Sequence, residues 1–142
     1  MQEWALWALA SAVFAALTAI FAKVGLEGVD SNFATFIRTL VIAAALVLFL
    51  TYAKKWQPLG ELGARNWLFL TLSGLATGAS WLAYFKALQI GSASQVAPID
   101  KLSVVLVVVF AVVFLGERPS AREWIGIALI ASGVFTLVFA DK

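Results

Sequence analysis

The sequence predicts an all-α integral membrane protein of five transmembrane helices, on three observations. Apolar residues make up 63% of the chain and charged residues 13%, where soluble domains run near 45–50% and about 25%. The apolar excess falls in five stretches, each close to the ~20 residues that a helix needs to cross the hydrocarbon. Five such spans take up about a hundred of the 142 residues, which leaves no room for a soluble domain. Helices are expected even where valine dominates, because an open strand cannot satisfy its backbone polar groups in lipid. The whole chain, 1–142, reads as one transmembrane domain.

Composition also narrows the chemistry. There is no cysteine and no histidine. That removes disulfides, thiol chemistry, the commonest metal ligands and the commonest general acid–base group. No nucleophile–base pair or phosphate loop stands out, so no enzyme, cofactor or metal is expected. The net charge of +2 says little about partners, and no nucleic-acid partner is expected. The start, Met-Gln-Glu-Trp, lacks the basic region of a signal peptide, so the first apolar segment is expected to be a retained span.

Span one covers about residues 4–22. Its small residues form i,i+4 rows, Ala8, Ala12, Ala16 and Ser11, Ala15, Ala19, which suit close helix packing in lipid. Gly25 and Gly28 break the chain after it. Span two covers 33–52, with Ser31 or Asn32 as its cap. A long connector follows, with Pro58, Gly60 and Gly63. Span three covers 67–90. It holds Gly74-Leu-Ala-Thr-Gly78, a pattern that permits close helix contact. Gly91 is expected as a left-handed stop, and Ser92 or Ser94 as the cap of span four, 94–115. Gly116 ends that span. Ser120 and Glu123 fit a capping box that opens span five, 121–140. On span five, Gly126 and Gly133 mark one face and are the expected dimer contact.

The connectors set an orientation. The N-terminal side carries five basic residues, Lys54, Lys55, Arg65, Arg118 and Arg122, against Lys23 and Lys142 on the other. Cytoplasmic loops are enriched in Lys and Arg, so the N-terminus is expected in the cytoplasm and the C-terminus outside. Trp4, Trp7, Trp56, Trp67 and Trp124 fall on the first side, as an interfacial belt would. Trp81 lies outside that belt, either lining a pocket or packed between helices.

The stretch 95–103, QVAPIDKLS, places a proline, an aspartate and a lysine in the apolar fourth span. Ionisable residues at membrane depth mark pathways and binding sites by default. With a rise of ~1.5 Å per residue, Arg38 lies about 10 Å in from Ser31, and Asp100 about 9 Å in from Ser94. Lys101 is one residue deeper, and Lys86 is about 6 Å back from Ile90. These depths coincide in the outer half of the membrane. Asp100 is the single acid among three cations. Arg38 is its first expected partner, because guanidinium matches carboxylate in two-pronged geometry; Lys101 of a neighbouring turn or subunit is the second. The surplus positive charge favours an anionic or zwitterionic substrate. Arg38, Trp81, Tyr84, Asp100 and Lys101 are the expected binding residues, with Phe85 covering apolar surface beside them. Lys86 is expected to snorkel to the surface. Pro98 either breaks the helix at a cavity or sits harmlessly in a first turn.

Three stretches resemble one repeat of the EamA family, of the drug/metabolite transporter superfamily: KALQIGSASQVAP at 86–98, LGE at 115–117 and WIGIALIASG at 124–133. The resemblance covers nearly the whole chain. It implies a half-size, five-helix repeat and a secondary transporter of small metabolites in the bacterial or archaeal cytoplasmic membrane. The related small multidrug resistance family carries a glutamate in its first helix. Span one here has no such acid, which argues against proton-coupled export of cationic drugs.

A single repeat supplies half of a two-part alternating-access architecture, so a homodimer is expected. Inverted-repeat logic favours antiparallel chains, whereas the charge bias slightly favours parallel ones. The alternative function is a subunit that binds or translocates a lipid-linked headgroup.

Overall fold

A computed structural model describes residues 3–139. The helices are α1 (Glu3–Gly25), α2 (Ser31–Tyr52), α3 (Ala64–Ile90), α4 (Ala93–Asp100), α5 (Leu102–Phe110) and α6 (Ala121–Val138). Five segments are long and apolar enough to cross a membrane, with Ala93–Leu115 counted as one. The chain is a multi-pass membrane protein of all-α class. The expected end of span five at Ala140, and the outer charge Lys142, lie outside the described residues.

Packing divides the chain into two compact units, Met1–Ile90 and Gly91–Lys142. In the first unit, α1 and α2 both pack on α3. Its buried residues gather toward one end of the three helices. They are Ala19, Ala22 and Leu26 from α1 and its connector, Ser31 and Thr35 from α2, and Phe85 and Leu88 from α3. Of the two small-residue rows on α1, only Ala19 is buried; Ala8, Ala12, Ala16, Ser11 and Ala15 remain exposed. Small side chains permit close approach, but they do not compel it. In the second unit, α4 and α5 pack on α6, where Val134 is the buried hydrophobic residue.

Local chemistry explains the helix ends. Asp30, and neither Ser31 nor Asn32, caps α2: its carboxylate accepts from the backbone N–H groups of Asn32 at 2.9 Å and Phe33 at 3.1 Å. A carboxylate at a helix N-terminus also meets the positive end of the dipole. Ser31 becomes the first helical residue and is fully buried. Gly28 and Gly116 adopt left-handed conformations, with φ of 71° and 68°. Gly91 does not. Ser92 follows in an extended conformation as the cap residue of α4, so that turn needs no left-handed residue. The capping box of α6 forms as expected between Ser120 and Glu123.

Span four is interrupted twice. Pro98 sits inside α4, beyond its first turn. It has no N–H to offer the carbonyl one turn back. The regular helix stops at Asp100, and Lys101 bonds back three residues, to the Pro98 carbonyl at 3.0 Å. The α-helix resumes at Leu102, then widens into a π-helical turn over Ala111–Leu115 before Gly116. Pro98 is therefore an interior proline, and the harmless first-turn alternative does not apply.

Candidate functional site

The first unit holds a cavity of about 510 Å³. Thr18, Phe21, Ala22 and Gly25 of α1 form one wall, and Phe33, Ala34, Ile37 and Arg38 of α2 the other. Leu26 and Val29 close it from the connector, and Phe85 of α3 contributes the floor. Because α1 and α2 each pack on α3, the space between them is left to the cavity.

Arg38 is its one charged lining residue. The guanidinium carbon lies 4.2 Å from the centre of the Phe85 ring and 5.6 Å from that of Trp81. Residues 81 and 85 are four apart, so one face of α3 presents both rings. Such cation–π contacts contribute about 0.5–2 kcal/mol each. They do not satisfy every hydrogen-bond donor of the guanidinium. Arg38 Nη1 is buried and has no hydrogen-bond partner among the described residues. An unmade hydrogen bond at a buried charged donor costs about 1–3 kcal/mol or more. An anionic guest would remove that cost.

The neighbouring side chains hold this arrangement in place. Tyr84 meets Phe85 edge to face at 5.7 Å. Lys23 Nζ donates to the Leu88 carbonyl at 2.6 Å, and Gln89 Nε2 donates to the Val29 carbonyl at 2.9 Å. These bonds tie the end of α1 and its connector to the last turn of α3. Lys86 is exposed and reaches Gln89 Oε1 at 3.4 Å, in keeping with the expected surface position.

The expected site residues thus divide between the units. Arg38, Trp81 and Tyr84 belong to the first, where Arg38 lies over Trp81 and Tyr84 meets the floor residue Phe85. Asp100 and Lys101 belong to the second, where they form an ion pair with each other at 3.3 Å. Within the second unit the acid meets its sequence neighbour, and within the first unit Arg38 is seated on aromatic rings. Adjacent residues on a broken turn can meet without aligning two helices. Gly126 and Gly133 of α6 are open: a methyl group added at either would meet nothing within 4 Å. Gly126 also borders a shallower hollow of about 550 Å³ with Arg118, Pro119 and Glu123.

Sequence reading missed the α1 wall. Phe21, Ala22 and Gly25 carry no polar signal; their contribution is the space that Ala22 and Gly25 leave beside an aromatic.

Comparison with known proteins decides the family. The model of the EamA-like transporter family matches residues 2–139, across both units. The chain belongs to the EamA-like transporter family. Among its EamA relatives, an uncharacterized transporter encoded in the cobO 3' region of a Sinorhizobium species is 55% identical over 136 residues, covering 96% of each chain. An uncharacterized transporter of Bacillus subtilis, YxxF, is 28% identical over 135 residues. That alignment takes in 94% of this chain but 42% of YxxF, so this EamA chain spans less than half of that relative. No solved structure matches. Transport, and not catalysis, is the activity that the family indicates.

Proposed function

We propose that this chain is one repeat of a small-metabolite secondary transporter that works as a homodimer by alternating access. Its substrate carries negative charge, as an anion or a zwitterion. The membrane is the bacterial or archaeal cytoplasmic membrane, with the N-terminus in the cytoplasm. The observation that carries the reading is Arg38: a cation on the wall of an otherwise largely apolar cavity, with a buried Nη1 that lacks a hydrogen-bond partner among the described residues. A positive group with an unmade hydrogen bond, in a wall that offers no acid among the described residues, favours an anion. The longer Bacillus relative, of which this chain matches 42%, supports the need for a second copy. Asp100 and Lys101 remain part of the proposed binding set.

A screen of the purified protein by thermal shift against phosphorylated, carboxylic and amino-acid metabolites tests this, because a ligand that binds only the folded state raises its stability. Hits should then show saturable movement across reconstituted vesicles. Absence of movement for every stabilising ligand would sink the transporter reading.

The apolar walls also favour a second reading, a subunit that binds or translocates a lipid-linked headgroup. Stoichiometric copurification of an anionic lipid, together with no transport of water-soluble ligands, would select it.

A further inference from the structure

We infer that the cavity beside Arg38 takes an amphiphilic organic monoanion: one carboxylate or comparable oxoanion on an apolar body, with no cationic group. The inference rests on the transporter reading and narrows its substrate from any negatively charged metabolite to this class.

Three features of the cavity carry it. Among the described residues the lining offers one guanidinium, whose Nη1 is buried and without a hydrogen-bond partner. One such fork matches one carboxylate; a second negative charge on the guest would find no second cation in the lining. No acid lines the cavity among the described residues. The nearest acids in sequence are Glu27 and Asp30 of the connector, and the Asp30 carboxylate already accepts two backbone N–H groups. An ammonium group brought in with the carboxylate would therefore lose water and gain no counter-charge, with Arg38 repelling it. Apart from Thr18 and Arg38, the side chains of the walls and floor are hydrocarbon, Phe21, Phe33, Ile37 and Phe85 among them. They suit an aromatic or aliphatic body, and about 510 Å³ is room for a small one.

Binding of radiolabelled phenylbutyrate to the purified full chain tests the inference, with unlabelled phenylbutyrate, phenylbutanol and homophenylalanine as competitors. The three share one carbon body and differ in charge. The expected result is saturable binding, with phenylbutyrate competing about ten-fold or more better than either of the others. Arg38→Gln should abolish the preference over phenylbutanol. Ala34→Phe keeps Arg38 but fills the cavity, and should weaken binding about ten-fold or more. If Arg38→Gln fails to fold, the competitor series on the unaltered protein and the Ala34→Phe variant still decide. Homophenylalanine competing as well as phenylbutyrate would overturn the inference. So would a preference that survives in folded Arg38→Gln, or no saturable binding at all. Vesicle transport separates the two readings. Selective binding without movement removes the transporter reading and leaves the site. Arg38-dependent movement of homophenylalanine in preference to phenylbutyrate keeps the transporter reading and removes the monoanion.

Discussion

The Arg38 guanidinium rests on the face of Phe85, 4.2 Å from the ring centre, and the ring itself is almost wholly buried. A delocalised, weakly hydrated cation thereby stacks on a surface that attracts it without neutralising it. Phe85→Leu keeps most of the volume but removes the ring, and should cost about 1–2 kcal/mol through the lost cation–π contact and altered packing. Thermal unfolding in detergent measures the loss. Arg38→Gln in the Phe85→Leu background should then cost less than in the native one, and equal costs would mean that the two side chains do not act together.

At the start of α2, Asp30→Ala should destabilise the protein by about 1 kcal/mol, because two backbone N–H groups lose their acceptor. Ser31→Ala should be neutral or slightly stabilising. The Ser31 hydroxyl is buried and has no hydrogen-bond partner among the described residues, so its removal forfeits no hydrogen bond. The reverse order in chemical or thermal unfolding would restore Ser31 as the cap.

Lys23→Met should loosen the last turn of α3. The lysine satisfies the Leu88 carbonyl at the negative end of a helix dipole. Its loss should cost about 1–2 kcal/mol and speed amide exchange near Ile90. Lys23→Arg should recover part of that protection, and identical exchange in wild type and Lys23→Met would show that the bond is dispensable.

Asp100 should matter for transport more than for folding. Its ion pair with Lys101 is partly exposed within the chain, and pairs of that kind contribute about 1 kcal/mol or less. Asp100→Asn should therefore shift unfolding little but lower uptake in vesicles at least several-fold. Wild-type uptake by the folded variant would remove Asp100 from the pathway.

Gly126→Leu combined with Gly133→Leu should reduce the mass of the detergent-solubilised particle from dimer toward monomer, measured by light scattering. Both glycines leave backbone open on α6, and the leucine branches would hold a second backbone away. An unchanged dimer would place the contact elsewhere. Reporters fused to the C-terminus decide its orientation: signal from outside alone fits parallel chains or an oppositely oriented partner protein, and comparable signal from both sides means antiparallel ones.

The spans were legible because long apolar runs carry a strong, redundant signal. Their ends were less so. Asp30 and Ser31 are both good caps by type, and only the path of the backbone separates them. Gly91 has the residue type of a left-handed stop, yet Ser92 makes that turn in extended conformation. Within the site, Arg38 and Trp81 stood out because a charge or an isolated tryptophan at depth is rare. Of the six tryptophans, Trp81 is also the one that is not exposed. The pair that Asp100 makes with Lys101 inside its own unit was not legible from depth, because depth compares different helices and says nothing of neighbours on one turn. Ala22, Gly25 and Ala34 were silent for a related reason: a small residue reads alike whether it admits a neighbouring helix or leaves room for a guest.

The broken fourth span has a mechanical consequence. A continuous helix behaves as a rod, so tilting one end carries the other with it. Between Ala93 and Leu115 the chain is closer to a jointed linkage, with one joint at Lys101 beyond Pro98 and another in the widened turn before Gly116. A joint absorbs rotation in a few backbone dihedrals. Bending of the fourth span is therefore expected to concentrate at these two places instead of spreading along the valine-rich stretch.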